Sequence, residues 1–161
     1  MLVRIDTVAG ARRGSVQESH GGHKMTALQD LFALVGRILL VGLFLVAGWG
    51  KVNGLEGTGK YIASKGLPSP ELLAMGTAAL ELIAPILIII GFQTRLAALA
   101  LAAFTLAAAI LFHNYWTIAD AAQASQQYLM FSKNMAIAGG LLLLTAFGPG
   151  RFSVDGRSKA Y

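Results

Sequence analysis

The chain has 161 residues, 55% of them hydrophobic and 13% charged, with thirteen Lys and Arg against eight Asp and Glu for a net charge of +5. Soluble domains carry about 25% charged residues, so these charges are too few to coat a compact domain of this size, and lipid is the expected solvent for much of the surface. The absence of cysteine excludes disulfides, Cys-ligated zinc, iron–sulfur clusters, c-type haem attachment and C-x-x-C redox pairs within the chain.

Residues 1–27 are polar, Gly-containing and basic, with Arg4, Arg12, Arg13 and Lys24. No apolar h-region follows a charged start, so this stretch does not read as a signal peptide. Its composition predicts a disordered cytoplasmic tail. Met25, followed by TALQDLFALVGRILL, reads as a natural start, so residues 1–24 are expected to derive from an upstream start codon.

Four apolar segments follow, over about 28–49, 72–92, 96–116 and 128–147. Each is roughly 20 residues, or about 30 Å as helix, the thickness of a hydrocarbon core. A soluble bundle of buried helices is the competing reading, but four such segments leave no amphipathic outer layer. The predicted fold class is therefore all-α, an integral membrane four-helix bundle over residues 28–148 with a C-terminal cytoplasmic tail over 149–161. The first loop, VNGLEGTGKYIASKGLPSPE, has room for a surface helix around residues 57–65, and Ser69-Pro70-Glu71 reads as a helix start. QTR is a tight turn, TIADAAQASQQ extends a flanking helix, and GPG stops the last one.

Cation positions set the expected orientation. The two tails and Arg95 hold eight Lys and Arg on one side, against Lys51, Lys60 and Lys65 on the other. The positive-inside rule then places both termini in the cytoplasm and Trp49, Tyr115 and Trp116 at the outer interface. Topology thus accounts for the basic balance, with no call for a nucleic-acid partner.

Ionisable residues within spans are costly and are the first functional candidates. Glu81 lies about ten residues into its segment, about 15 Å from either end. A carboxyl at that depth needs a proton or a counter-ion. It reads either as a proton-handling or substrate-contacting group, or as half of a buried ion pair. Pro85 removes the usual helical partner of the Glu81 carbonyl. Arg37, about 13 Å deep by the same count, is the expected counter-ion, and its planar fork is the alternative holder of a quinone carbonyl or anion. Lys51, His113, Lys133 and Asn134 all fall toward the opposite membrane face, where a bundle could converge them on one outward-opening pocket. Ala102, Thr105, Ala109 and His113 form a small-residue stripe that would admit a close helix. Gln126 and Gln127 extend the polar face, and Lys133 is long enough to snorkel to the interface. One intramembrane histidine argues against bis-histidine haem. No metal-ligand spacing is evident. The GWGKVNGLEGTGKY fragments follow a span rather than a strand, so they do not read as a nucleotide site.

The ordered set AGWGKVNGLEGTGKYIASKGLPSPELLA, ALELIAPILIIIGFQTRLAALALAAF, FHNYW and FSKNMAIAGGLLLLTAFGPGRFSVDG resembles the DoxX family of small bacterial inner-membrane proteins, over about residues 27–157. The family pattern of a first-helix Arg, a Lys after its glycines, a second-helix Glu, a third-helix His and a fourth-helix Lys-Asn falls on Arg37, Lys51, Glu81, His113, Lys133 and Asn134. The long basic N-terminus departs from it. The resemblance implies a four-helix membrane bundle in the bacterial inner membrane and a link to quinone-dependent oxidoreduction. On that reading Glu81 and His113 are the expected catalytic residues, and Arg37, Lys51, Lys133 and Asn134 the expected substrate contacts. The expected ligand is a quinone or small organic redox substrate. No electron carrier is evident in the chain, so a redox role implies an oxidoreductase partner subunit. A non-enzymatic carrier or assembly factor, with Arg37 and Glu81 as a structural pair, is the alternative.

Overall fold

A computed structural model describes residues 27–157. The N-terminal stretch expected to be disordered, with its alternative starts at Met1 and Met25, lies outside the described residues, apart from Ala27. So does Lys159.

Four helices are long and apolar enough to cross a membrane. They are α1 (Ala27–Asn53), α3 (Pro70–Ile90), α4 (Thr94–Phe112) and α5 (Ala121–Phe147). In lipid the backbone must satisfy its own hydrogen bonds, so an uninterrupted apolar run of this length folds as helix. A short helix, α2 (Leu55–Ser64), follows α1, close to the surface helix expected from the loop sequence. Helix α3 begins at Pro70, where a missing N–H costs no hydrogen bond. Helix α5 begins at Ala121, so the polar stretch before residue 128 extends the fourth helix. A 3-10 turn (Tyr115–Thr117) separates it from α4.

Helices α1 and α3 form one closely packed pair and α4 and α5 another, with α3 also packing on α4 and α2 lying along α3. Small residues make these approaches possible. A Cβ on Gly48 of α1 would stand 3.0 Å from Leu82 Cγ and 3.1 Å from the Glu81 backbone carbon. Of the stripe read on the third span, Ala102, Thr105 and Ala109 are buried and form a packing face of α4, while His113 at its end is half-buried. Val41, Phe44, Ile88, Leu101 and Leu141 fill the centre. Apolar residues such as Leu39, Val46 and Phe147 remain largely exposed on the outside, as a lipid-facing surface requires.

Residues 149–157 do not trail away. They fold back under the bundle and end in the short helix α6 (Val154–Arg157). The Asp155 carboxylate accepts from the backbone N–H groups of Gln93 at 3.0 Å and Thr94 at 2.9 Å, while the Asp155 N–H donates to the Gly91 carbonyl at 2.8 Å. Buried Asp30 accepts from the Arg151 N–H at 2.9 Å. Gly91 has φ 74° and packs directly against Ser153 and Arg37, so a side chain there would meet both.

Candidate functional site

The sequence led to Arg37 as the counter-ion of Glu81, but the structure pairs Glu81 with Lys51. Lys51 Nζ lies 2.5 Å from Glu81 Oε2, with the Glu81 side chain 6% exposed. The cause is axial offset. Gly48 stands level with Glu81, and Arg37 stands level with Gly91. Arg37 is therefore about 15 Å from the carboxylate along the bundle. Helix α1 projects beyond the bundle at its N-terminal end, so depth counted from the start of its apolar run overstates how far in Arg37 lies. Arg37 instead donates to the carbonyls of Pro149, at 3.0 Å, and Phe152. It holds the returning C-terminal segment and contacts neither Glu81 nor the cleft described next.

Lys51, Glu81, His113, Lys133 and Asn134 line one cleft of about 300 Å³ between α1 and α5, at the end of the bundle carrying α2. Its walls are mostly apolar, including Leu43, Phe44, Phe104 and Ile137. The Lys51–Glu81 pair lies on its α1–α3 side. Helix propagation sets the pair's position: Gly48 lets α3 approach, and Lys51, one turn further along α1, then reaches the Glu81 carboxylate. Thr77, one turn before Glu81, also lines the cleft.

His113 ends α4, where its N–H bonds the Ala109 carbonyl at 3.2 Å. Its Nδ1 is 2.8 Å from Oε1 of Gln127 on α5. That amide oxygen is an acceptor for an Nδ1–H of His113. Rings of Tyr115, Trp116, Tyr128 and Phe131, with centroids 5.1–5.7 Å apart and edge-to-face, pack the α4–α5 junction beside this histidine. Lys133 is exposed at the rim, its ammonium 3.5 Å from Met130 Sδ.

Thr58, Tyr61 and Ile62 of α2 complete the lining. These were missed in the sequence. Their spacing of i, i+3 and i+4 is the signature of one helix face, and it identifies the side of α2 that turns inward. Among the described residues no cluster of three His, Asp or Glu could hold a metal ion.

The profile of the DoxX family matches residues 32–114, a stretch that includes Arg37, Lys51, Glu81 and His113. Inner membrane protein YqjF of Escherichia coli is 43% identical over 131 residues, covering 81% of this chain and 95% of that protein. The chain belongs to the DoxX family. Inner membrane protein YphA of Escherichia coli is also similar to this DoxX-family chain, 39% identical over 81% of it and 93% of that protein. With its four apolar helices, the DoxX-family chain is a multi-pass inner-membrane protein. The profile of the SURF4 family overlaps the DoxX match and extends it, covering residues 74–161 and so including Lys133 and Asn134. A Surfeit locus protein 4 homolog of Schizosaccharomyces pombe is 28% identical over 81% of the chain, which spans 38% of that protein. No solved structure matches.

Proposed function

We propose that this DoxX-family protein binds a quinone or small organic redox compound in the cleft, as the membrane subunit of a quinone-linked oxidoreductase system. The observation that carries this reading is a charged pair, Lys51 and Glu81, lining a cleft whose walls are mostly apolar. Small-molecule sites have this composition, apolar walls with a few convergent polar groups, and begin at about 300 Å³. Glu81 exchanges protons with the polar head of the bound molecule, and Lys51 holds the charge that the exchange leaves on the carboxylate. His113, Asn134 and Lys133 orient the head. Reduction of a quinone to a quinol takes two electrons and two protons. The electrons come from the partner subunit, and the protons pass one at a time through Glu81.

Titration of the purified full chain in nanodiscs with a short-chain quinone, alone and with co-purifying proteins, tests this. Saturable binding weakened in a Glu81→Gln variant supports it, and no binding under either condition overturns it.

The second reading is a non-enzymatic carrier or assembly factor. The SURF4 match supports it, and a yeast relative, 35% identical over 53% of this chain, is named ER-derived vesicles protein ERV29. Under that reading Glu81→Gln impairs folding in detergent rather than ligand binding.

The excess of Lys and Arg on the side of the termini supports an orientation with both termini in the cytoplasm and α2 on the outer face. A C-terminal alkaline phosphatase fusion that is active would overturn it.

A further inference from the structure

The cleft is roofed toward water and open toward lipid. Helix α2 lies along α3, with Gly59 set against Pro70, 3.9 Å from the position of a Gly59 Cβ. At its other side Tyr61 meets Phe112 of α4, ring centroids 5.4 Å apart. Helix α2 thus bridges α3 and α4 across the end of the bundle. The side wall is different. Helices α1 and α5 touch sparsely, through Leu40 against Gly140. Three residues further along each antiparallel helix, Leu43 and Ile137 line the cleft instead, and Leu43 is 47% exposed. The gap between them opens sideways, at the depth of the acyl chains.

The charges lining this gap do not balance. Glu81 is engaged by Lys51. Among the described residues Lys133 has no acidic partner, and its ammonium meets the Met130 sulfur. Lys133 is fourteen residues before the end of α5, about 21 Å from that end and so within a hydrocarbon core of about 30 Å. A cation there is held either by reaching the nearer interface along its own side chain or by a counter-ion. Asn134 beside it adds an amide to the same wall.

We infer that the cleft takes a lipid-dissolved amphiphile with an acidic headgroup, which enters sideways between α1 and α5 and places its acid against Lys133. This rests on the cleft being a ligand site and narrows what it holds. Among small organic compounds it favours an acid over a neutral quinone. The Lys51–Glu81 pair lies beside the headgroup, and the apolar part lies against Leu43, Phe104 and Ile137.

The test uses the full chain in phosphatidylcholine nanodiscs, titrated with naphthalene-2-carboxylate and with its carboxamide, each corrected for empty nanodiscs. The carboxylate is expected to bind about tenfold or more tighter, the ratio given by one charge-assisted hydrogen bond. Lys133→Gln removes that preference, whereas Lys133→Arg keeps it. Equal binding of both probes by the wild-type chain overturns the acid preference while leaving a ligand site standing, and needs no variant to fold. Binding of neither probe overturns the ligand site and this inference with it. A carboxylate preference that survives in Lys133→Gln overturns the assignment to Lys133. Phosphatidylglycerol added to the nanodiscs separates the two sources of an acidic headgroup. Competition with the carboxylate that disappears in Lys133→Gln assigns the site to a membrane lipid, and lack of competition assigns it to a free organic acid.

Discussion

Arg37 and Pro149 are 112 residues apart in the chain and joined by a hydrogen bond of 3.0 Å, from the buried guanidinium to the backbone carbonyl. With the second bond to Phe152, this fixes the C-terminal segment under the bundle. Arg37→Met leaves both carbonyls without their donor, at an expected cost of about 2–4 kcal/mol. Arg37→Lys keeps the charge but not the fork and should fall between. Thermal unfolding followed by tryptophan fluorescence in detergent gives the order wild type, Lys, Met. An unchanged midpoint for Met would show that the segment is held by other contacts.

The Lys51–Glu81 pair can be weighed by a double-mutant cycle. Removing one charge leaves the other in an apolar wall, and each single change, Lys51→Met or Glu81→Gln, should destabilise by about 1–3 kcal/mol. The double variant should be more stable than the sum of the two losses. Additive losses would mean that the two groups do not act as a pair.

Two glycines of α1 make opposite predictions for the same substitution. Gly48→Ala sets a methyl about 3 Å from α3 and should cost about 1–3 kcal/mol by forcing the helices apart. Gly42 has nothing within 4 Å of its Cβ position, so Gly42→Ala should be neutral or stabilising by up to about 1 kcal/mol, as helix interiors prefer alanine. Thermal midpoints of the two variants, compared side by side, check this. Equal shifts would contradict the close approach at Gly48.

Asp155 caps α4 from outside the helix, because Gln93 at the N-cap position makes no side-chain cap of its own. Asp155→Ala should therefore cost about 1 kcal/mol, the ordinary value of an N-cap, and Asp155→Asn less. Hydrogen exchange at the Gln93 and Thr94 amides should rise in the Ala variant. Unchanged protection there would contradict the cap.

The sideways opening can be closed directly. The chain has no cysteine, so Leu43→Cys with Ile137→Cys gives two thiols facing each other across the gap. A short thiol cross-linker should abolish naphthalene-2-carboxylate binding, and a reducible one should restore it on reduction. Undiminished binding in the cross-linked protein would place the entrance elsewhere.

Much of the architecture was legible in the chain. The GPG stop, the Ser69-Pro70 start and the surface helix before it are local features, set by turn chemistry and apolar length. Lys51, His113, Lys133 and Asn134 could be placed toward one face because each lies near the matching end of its span. Gln127 was visible as part of a polar face, but its bond to His113 required the α4–α5 pairing. The α2 lining of Thr58, Tyr61 and Ile62 was hidden because a short helix carries no sign of what it folds over.

By itself the sequence determined the solvent, the number of spans and the residues that lipid cannot tolerate unpaired. These follow from apolar length and from the cost of bare backbone and bare charge in hydrocarbon. Only the tertiary structure decided which of those residues meet. Pairing depends on how far neighbouring helices slide along each other, and that offset is set by contacts such as Gly48 against Glu81 and Gly91 against Ser153. Periodicity within one helix contains no record of it. The offset carries Arg37 to the C-terminal segment and leaves Glu81 to Lys51.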